Sequence, residues 1–190
     1  TPDENDFERI QWAANFVQLA IERKQAQTKL VESERFNRAT LDSLSAHVAV
    51  LDATGKIVAT NQAWRNFAES NSTAWQTVSE GTNYLAVCDQ AAIQGDATSA
   101  AAAEAIRQTI AGERETWFHE YPCHASDEQR WFFCRVTRFP TNGAVHVVVS
   151  HENVTAMKLA EEQLAVSIAQ YDSLSRVSPV GIILFDSNGK

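Results

Sequence analysis

The sequence lacks the marks of several specialised classes. It has no run of eighteen apolar residues, the length a membrane-spanning helix needs. Its first residues carry none of the basic, apolar and small-residue segments of a secretory signal. The expectation is a chain that stays in solution in the cytoplasm, without direct membrane contact. Cysteine is sparse: Cys88, Cys123 and Cys134 form an odd set with no C-x-x-C pair, which suits free thiols in a reducing compartment better than a disulfide framework. Positive charge is short as well. Sixteen Lys and Arg stand against 24 Asp and Glu, for a net charge of −8, so nucleic acid and anionic membranes would be repelled and neither is expected as a partner. There is no glycine-rich phosphate loop, no GGDEF or EAL sequence and no kinase histidine box, so no catalytic residue is assigned and the chain is not expected to be an enzyme.

What is present reads as a soluble globular protein. A content of 44% hydrophobic and 21% charged residues in 190 is enough for at least one ordinary core. The segment LDSLSAHVAVLDATGK, Leu41–Lys56, is partly repeated near the C-terminus as YDSLSRVSPVGIILFDSNGK, Tyr171–Lys190, with DSLS and D-x-x-G-K in the same order. A repeat this long fits tandem small domains rather than a solenoid, and the second copy holds only a first strand and turn. The expectation is therefore an excerpt of a longer protein.

Flanking helices are the second positive feature. Phe7, Ile10, Ala14, Val17, Ile21, Lys24, Thr28 and Val31 follow alternating three- and four-residue spacing on a helix expected from about Asp6 to Leu44. The stripe returns as Val154, Met157, Glu161, Leu164, Ile168 and Tyr171. Such stripes pair helices, and a parallel homodimer held by Ile10, Ala14, Val17, Ile21, Met157, Leu164 and Ile168 is the expectation. Polar Lys24 and Thr28 would weaken the seam locally.

Between the helices, Val48–Asp52 and Lys56–Thr60 read as strands joined by the turn Thr54-Gly55. Asn61 can cap a short helix, Gln62–Glu69, whose Trp64, Phe67 and Ala68 share a face. After the polar stretch Ser70–Gly81, TNYLAVCDQA could bury Tyr84, Leu85 and Cys88 on helical turns. Asp96 then reads as the N-cap and Gly112 as the C-cap of an alanine-rich helix, Ala97–Ala111. Three antiparallel strands should close the domain: Glu115–His124, Gln129–Phe139 and Ala144–His151, the last two joined at Asn142-Gly143, a strong hairpin signal.

The stretch YPCHASDEQRWFFCRVTRF, Tyr121–Phe139, concentrates rings, thiols and charges. Alternation puts Trp117, His119 and Tyr121 on one face and Phe118 on the other; on the next strand Trp131, Phe133 and Arg135 oppose Phe132, Cys134 and Val136. One aromatic set should line the interior, and the other should be covered by a flanking helix or a second subunit. A zinc site from Cys123, His124 and Cys134 has no paired ligand spacing, so no metal is expected. Adjacent strand residues point to opposite faces, which separates Cys123 from His124 as a nucleophile and base.

The order strand, strand, short helices, longer helix and three antiparallel strands, with LDATGKIVATNQAWRNF at its start and HENVT at its end, resembles the PAS sensor domain family over Phe36–Thr155. The segments GTNYLAVC, AIRQTIAGERETWFHEYPCHASDEQRWFFCRVTRF and VVVSHENVT are similar to the subgroup in bacterial multidomain signalling proteins, including histidine kinases and GGDEF/EAL cyclic-di-GMP enzymes. The N-terminal PDENDFERIQWAANFVQLAIERK resembles the last helix of a GAF domain, and Val180–Lys190 the opening of a second PAS domain. The resemblance divides the chain into a signalling helix at 1–35, a PAS domain at 36–155, a linker helix at 156–175 and the start of another PAS domain at 176–190.

The fold it implies is α+β: a five-stranded antiparallel sheet with helices on one side around a ligand cavity, between coiled-coil-like helices. Its cavity would be lined by Trp64, Phe67, Tyr84, Trp117, His119, Tyr121, Phe133 and His146, and its signal would leave through Asn153, Val154 and Thr155. The implied role is a dimeric sensory module that signals to GAF, PAS and output domains of the same chain. That output would be a diguanylate cyclase or phosphodiesterase, with a histidine kinase or a ligand-free dimerisation spacer as alternatives. Some family members hold haem through a histidine on the long helix, but Ala97–Ala111 has none; His119 and His146 lie on strands and could reach a cavity, yet a lone histidine in a sheet is more often simply hydrogen-bonded. A LOV-type flavin adduct resembles Gly-x-Asn-Cys, whereas Gly81-Thr82-Asn83-Tyr84 stands here. No cofactor is predicted; a small metabolite or a non-covalent flavin remain as ligands. The family's usual Asp-Val-Thr is Asn153-Val154-Thr155, so no charged lock to the outgoing helix is expected at that acid. Thr155 is expected to cap that helix.

Overall fold

The computed structural model describes residues 4–70, 78–124, 129–141 and 143–177. The elements are α1 (Glu4–Asp42), β1 (His47–Asp52), β2 (Ile57–Thr60), α2 (Gln62–Ser70), α3 (Tyr84–Ile93), α4 (Ala97–Ala111), β3 (Thr116–Pro122), β4 (Trp131–Thr141), β5 (Ala144–Asn153) and α5 (Thr155–Val177). The segment Val180–Lys190, expected to open a second copy of the domain, lies outside the described residues.

Local chemistry sets the turns. The Asp52 carboxylate accepts the Thr54 and Lys56 N–H groups at 2.8 and 3.1 Å and the Thr54 hydroxyl at 2.7 Å, closing β1 onto β2. Gly55 sits there at φ +80°, and a Cβ on it would lie 2.5 Å from Leu85 Cδ1, so both the backbone and the approach of α3 require glycine. Asn61 joins three elements. Its buried Oδ1 accepts the Val48 and Trp64 N–H groups, and its Nδ2 donates to the carbonyls of Leu41, Leu44 and Ala46, the last at 2.8 Å. One side chain thus caps α2 and ties the end of α1 to the start of β1.

The strands form one antiparallel sheet in the order β2-β1-β5-β4-β3. Thr141 pairs with Ala144, with Gly143 at φ +85°; Asn142 lies outside the described residues. Period-two alternation puts Ala49, Leu51, Val136, Val147 and Val149 on the inner face, where they are almost fully buried. Helices α3 and α4 cover that face with Tyr84, Cys88, Ala103 and Ile106. Alanines at 102, 103 and 105 let α4 lie close to the sheet, and its ends are fixed by Asp96, which accepts the Thr98 and Ser99 N–H groups, and by Gly112 at φ +81°. Burial of Leu51 or Ile106, each 0% exposed, stabilises the fold by about 2 kcal/mol per side chain.

Candidate ligand cavity and exit junction

Between α3, the start of α4 and the inner face of β3–β4–β5 lies a cavity of about 230 Å³. Tyr84 and Cys88 enter from α3, Asp96, Thr98, Ser99 and Ala102 from α4, Trp117 and Tyr121 from β3, Cys134 from β4 and His151 from β5. The strand residues meet because register aligns them: Tyr121 pairs with Phe132, and Cys134 with His151.

The central feature is a chain of polar groups. The hydroxyl of Tyr121 lies 2.7 Å from His151 Nδ1, and that of Tyr84 lies 3.3 Å from His151 Nε2. Burial pushes the His151 imidazole down to about 3, with His47 acting in the same direction, so the ring is neutral at physiological pH. Burial also pushes Tyr84 and Tyr121 up and the Cys88 and Cys134 thiols up to about 12. His151, Tyr84, Tyr121, Cys88 and Cys134 are therefore uncharged near neutrality. None can act near neutrality as a base or thiolate nucleophile, and what they offer is hydrogen bonding.

Beyond His151 the interior closes into a packed ring cluster of His47, Trp64, Phe67, Tyr121 and Phe132. The space left there is about 10 Å³, room for at most one water. His47 stacks on Phe67 at 4.3 Å between centroids, and Phe67 meets Phe132 edge-on at 5.5 Å.

Of the residues expected in a cavity, Tyr84, Trp117 and Tyr121 line the open space, while Trp64 and Phe67 belong to the packed cluster. Three stand elsewhere. Phe133 lies on the outer face of the sheet, stacked on Phe118 at 5.8 Å, because the ring in phase with Cys134 and Val136 is its neighbour Phe132. His146 is out of phase with Val147 and stacks on Phe139 at 5.4 Å, far along β5 from the cavity. His119 has the inward phase but sits exposed on the edge strand, its ring against Trp117. The residue missed was His151, which continues the Val147, Val149 alternation that had been read only as apolar. Of the outer ring set, Phe118 is 66% exposed in the single chain.

The exit junction is hydrogen-bonded at each step. The Asn153 side chain accepts the Thr155 N–H at 3.0 Å, so Asn153 makes the cap expected of Thr155. The Thr155 hydroxyl instead accepts the Trp131 N–H at 3.0 Å, and the Val154 N–H donates to the Trp131 carbonyl at 2.9 Å. A charged lock exists after all, at a different place: Lys158 of α5 lies 2.6 Å from Glu120 of β3 and 3.6 Å from Glu161. Among the helix residues, Val17, Ile21, Met157, Leu164 and Ile168 are exposed, as is Ala14; the Ile10 side chain lies outside the described residues. Trp12 and Phe16, off the expected stripe, are exposed too and stack at 5.7 Å. Among the described residues, no helix is long and apolar enough to cross a membrane, and no three His, Cys, Asp or Glu converge on a metal position.

A five-stranded antiparallel sheet covered on one face by helices, with a small, partly open cavity and a helix leaving its central strand, defines a sensory class of domain. Residues 41–158 match the family described as PAS fold, and the chain belongs to it. Among curated proteins it is similar to an uncharacterized 104.1 kDa protein of Rhodobacter capsulatus, 38% identical over 122 residues, which span 62% of this chain and 12% of that protein. Among solved structures it is similar to the PAS domain of Bordetella pertussis BvgS, at 14% identity and a TM-score of 0.49, covering 73% of this chain and 98% of that one. It is also similar to the PAS domain of an HTR-like protein from Haloarcula marismortui, at 16% identity and a TM-score of 0.44, covering 68% and 98%.

Proposed function

We propose that this chain is a sensing and transmitting module, in which the cavity takes a small ligand and β5 passes the change through Asn153-Val154-Thr155 into α5. The observation that carries this reading is the position of His151. It forms part of the cavity wall and stands two residues before Asn153, on the strand that leads into α5. A ligand that alters the hydrogen bonds of His151 acts on the strand end itself. Since only differential affinity for two arrangements can shift their populations, the Trp131–Thr155 and Glu120–Lys158 contacts are where the arrangements would differ.

The module works as a parallel homodimer. The exposed apolar residues of α1 and α5 support this, because helices of that length carrying Val17, Ile21, Leu164 and Ile168 in solvent gain from pairing. Its output lies elsewhere in the protein: a diguanylate cyclase or phosphodiesterase, on the similarity of its segments to that subgroup, with a histidine kinase as the alternative. GAF and further PAS domains in the same chain complete the proposed arrangement.

The packed ring cluster favours a second reading, a constitutive dimerisation spacer filled by its own side chains. One experiment separates the two. In the full-length protein, Thr155→Ala removes the hydroxyl that holds Trp131, and cyclic-di-GMP turnover, or autophosphorylation, is measured with and without stimulus. A changed basal or stimulated output supports transmission; wild-type output in both states supports the spacer.

A further inference from the structure

Resting on the sensory reading above, we propose that the cavity takes a small uncharged ligand bearing a ring and a hydrogen-bond acceptor, such as an aromatic amide or a ring lactam. Tyr121 reads the acceptor and hands the change to β5 through His151.

Size comes first. The space is about 230 Å³ and partly open to solvent, enough to seat a single ring with a small substituent.

Charge comes next. Among the described residues, no Lys or Arg lines the cavity to neutralise a carboxylate or phosphate. The carboxylate among those lining residues, Asp96, is already engaged by the Thr98 N–H at 2.9 Å, the Ser99 N–H at 3.3 Å and the Ser99 hydroxyl at 2.6 Å, at the positive end of α4. It is a cap with its charge offset, and a poor counter-ion for an ammonium group. The walls that remain are the rings of Trp117 and Tyr121 and the sulfurs of Cys88, Cys123 and Cys134, which suit the face and edge of a flat ring.

The polar chain decides between donor and acceptor. A neutral imidazole donates from one nitrogen and accepts at the other. In one order, Tyr121 donates to Nδ1 and Nε2–H donates to Tyr84, so the free hydroxyl proton is that of Tyr84. In the other order, Nδ1–H donates to Tyr121 and Tyr84 donates to Nε2, which leaves the Tyr121 proton aimed at the cavity. A ligand acceptor placed at Tyr121 is satisfied there only in the second order, so its binding selects the Nδ1–H tautomer of His151, whereas an acceptor placed at Tyr84 selects the other. A ligand without an acceptor gains nothing from that choice.

The test uses single-ring probes on the intact chain uniformly labelled with ¹⁵N: benzamide and 2-pyridone as neutral acceptors, with benzoate, benzylammonium and toluene as the contrast. Amide and imidazole NMR shifts give both affinity and tautomer. The expected result is that benzamide and 2-pyridone shift Trp117, Tyr121 and His151, bind about tenfold more tightly than the other three, and move His151 to the Nδ1–H form. Tyr121→Phe should remove that tenfold advantage and leave toluene binding as it was. The tautomer readout on the wild-type chain holds even if that variant fails to fold. Tighter cavity binding of benzoate or benzylammonium overturns the ligand class while leaving the sensory reading intact. Binding of benzamide without a tautomer change overturns the role of His151, and exclusion of all five probes overturns the proposal as a whole. Failure of the sensory reading shows separately, as a full-length Thr155→Ala protein with unaltered output.

Discussion

Lowering the pH from about 7 to about 4.5 should cost the folded protein about 2.5 kcal/mol through His151 alone. In the unfolded chain this imidazole titrates near 6.5, and burial holds it near 3 in the folded protein. Between those values the unfolded chain binds a proton that the folded chain refuses. Stability therefore falls as pH falls, by about 1.4 kcal/mol per unit, and levels off only below about pH 3. Two units of that window give about 2.5 kcal/mol, a large part of the 5–15 kcal/mol typical of a domain. His47, also held below its ordinary value by burial and by Arg130, acts with the same sign. Asp42, Asp52 and Asp96 do not confuse the measurement. Burial pushes each of them up, but hydrogen bonds, joined at Asp42 and Asp52 by neighbouring cations, outweigh it and hold them below 3.8, so their contribution is lost mainly at lower pH. The assay is urea unfolding followed by tryptophan fluorescence at both pH values and one fixed protein concentration, since pairing of chains would couple stability to concentration. His151→Gln keeps a group that can bond both tyrosine hydroxyls but does not titrate. Wild type should lose about 2.5 kcal/mol more than this variant between the two pH values. Equal losses in the two proteins would refute the buried neutral imidazole and the hydrogen-bonding argument built on it.

Other perturbations test the frame around the cavity. Asn61→Ala removes five buried or half-buried hydrogen bonds that join α1, β1 and α2, and should lower stability by about 3 kcal/mol in the same urea assay. Gly55→Ala meets both the positive φ and Leu85, and a loss of about 2 kcal/mol is expected; an unchanged urea midpoint would contradict the close approach of α3. Replacing Val17 and Ile21 by Glu should dissociate the dimer, read as a drop to monomer mass in sedimentation equilibrium at micromolar protein; a wild-type chain already monomeric there defeats the pairing argument. In a double-mutant cycle, Glu120→Gln and Lys158→Gln should couple favourably at low salt and lose that coupling at high salt, as expected of a half-exposed ion pair.

Most of the architecture was legible in the sequence because it is written in local chemistry. Asp96 and Gly112 bracket α4, Asp52 and Gly55 make the first turn, and Gly143 lies at the last hairpin; each acts on backbone within a few residues of itself. Period-two alternation likewise separated the two faces of β3 and β4, including the opposition of Phe132 to Phe133. It could not say which face turns inward, since rings lie on both, and Phe133 was expected where Phe132 stands. Only the packing of α3 and α4 on one side settles that. The exit lock shows the same limit: Asn153 announces that one charged contact is missing, but Glu120 and Lys158 meet only because β3 and α5 are brought together in space. His151 is the clearest case. A histidine after three valines looks like a strand end, and its role depends on two hydroxyls from α3 and β3, at sequence separations of 67 and 30, that reach its two nitrogens. Caps and turns are decided by neighbours along the chain, whereas a polar chain inside a core is decided by which distant elements exclude water from the same point.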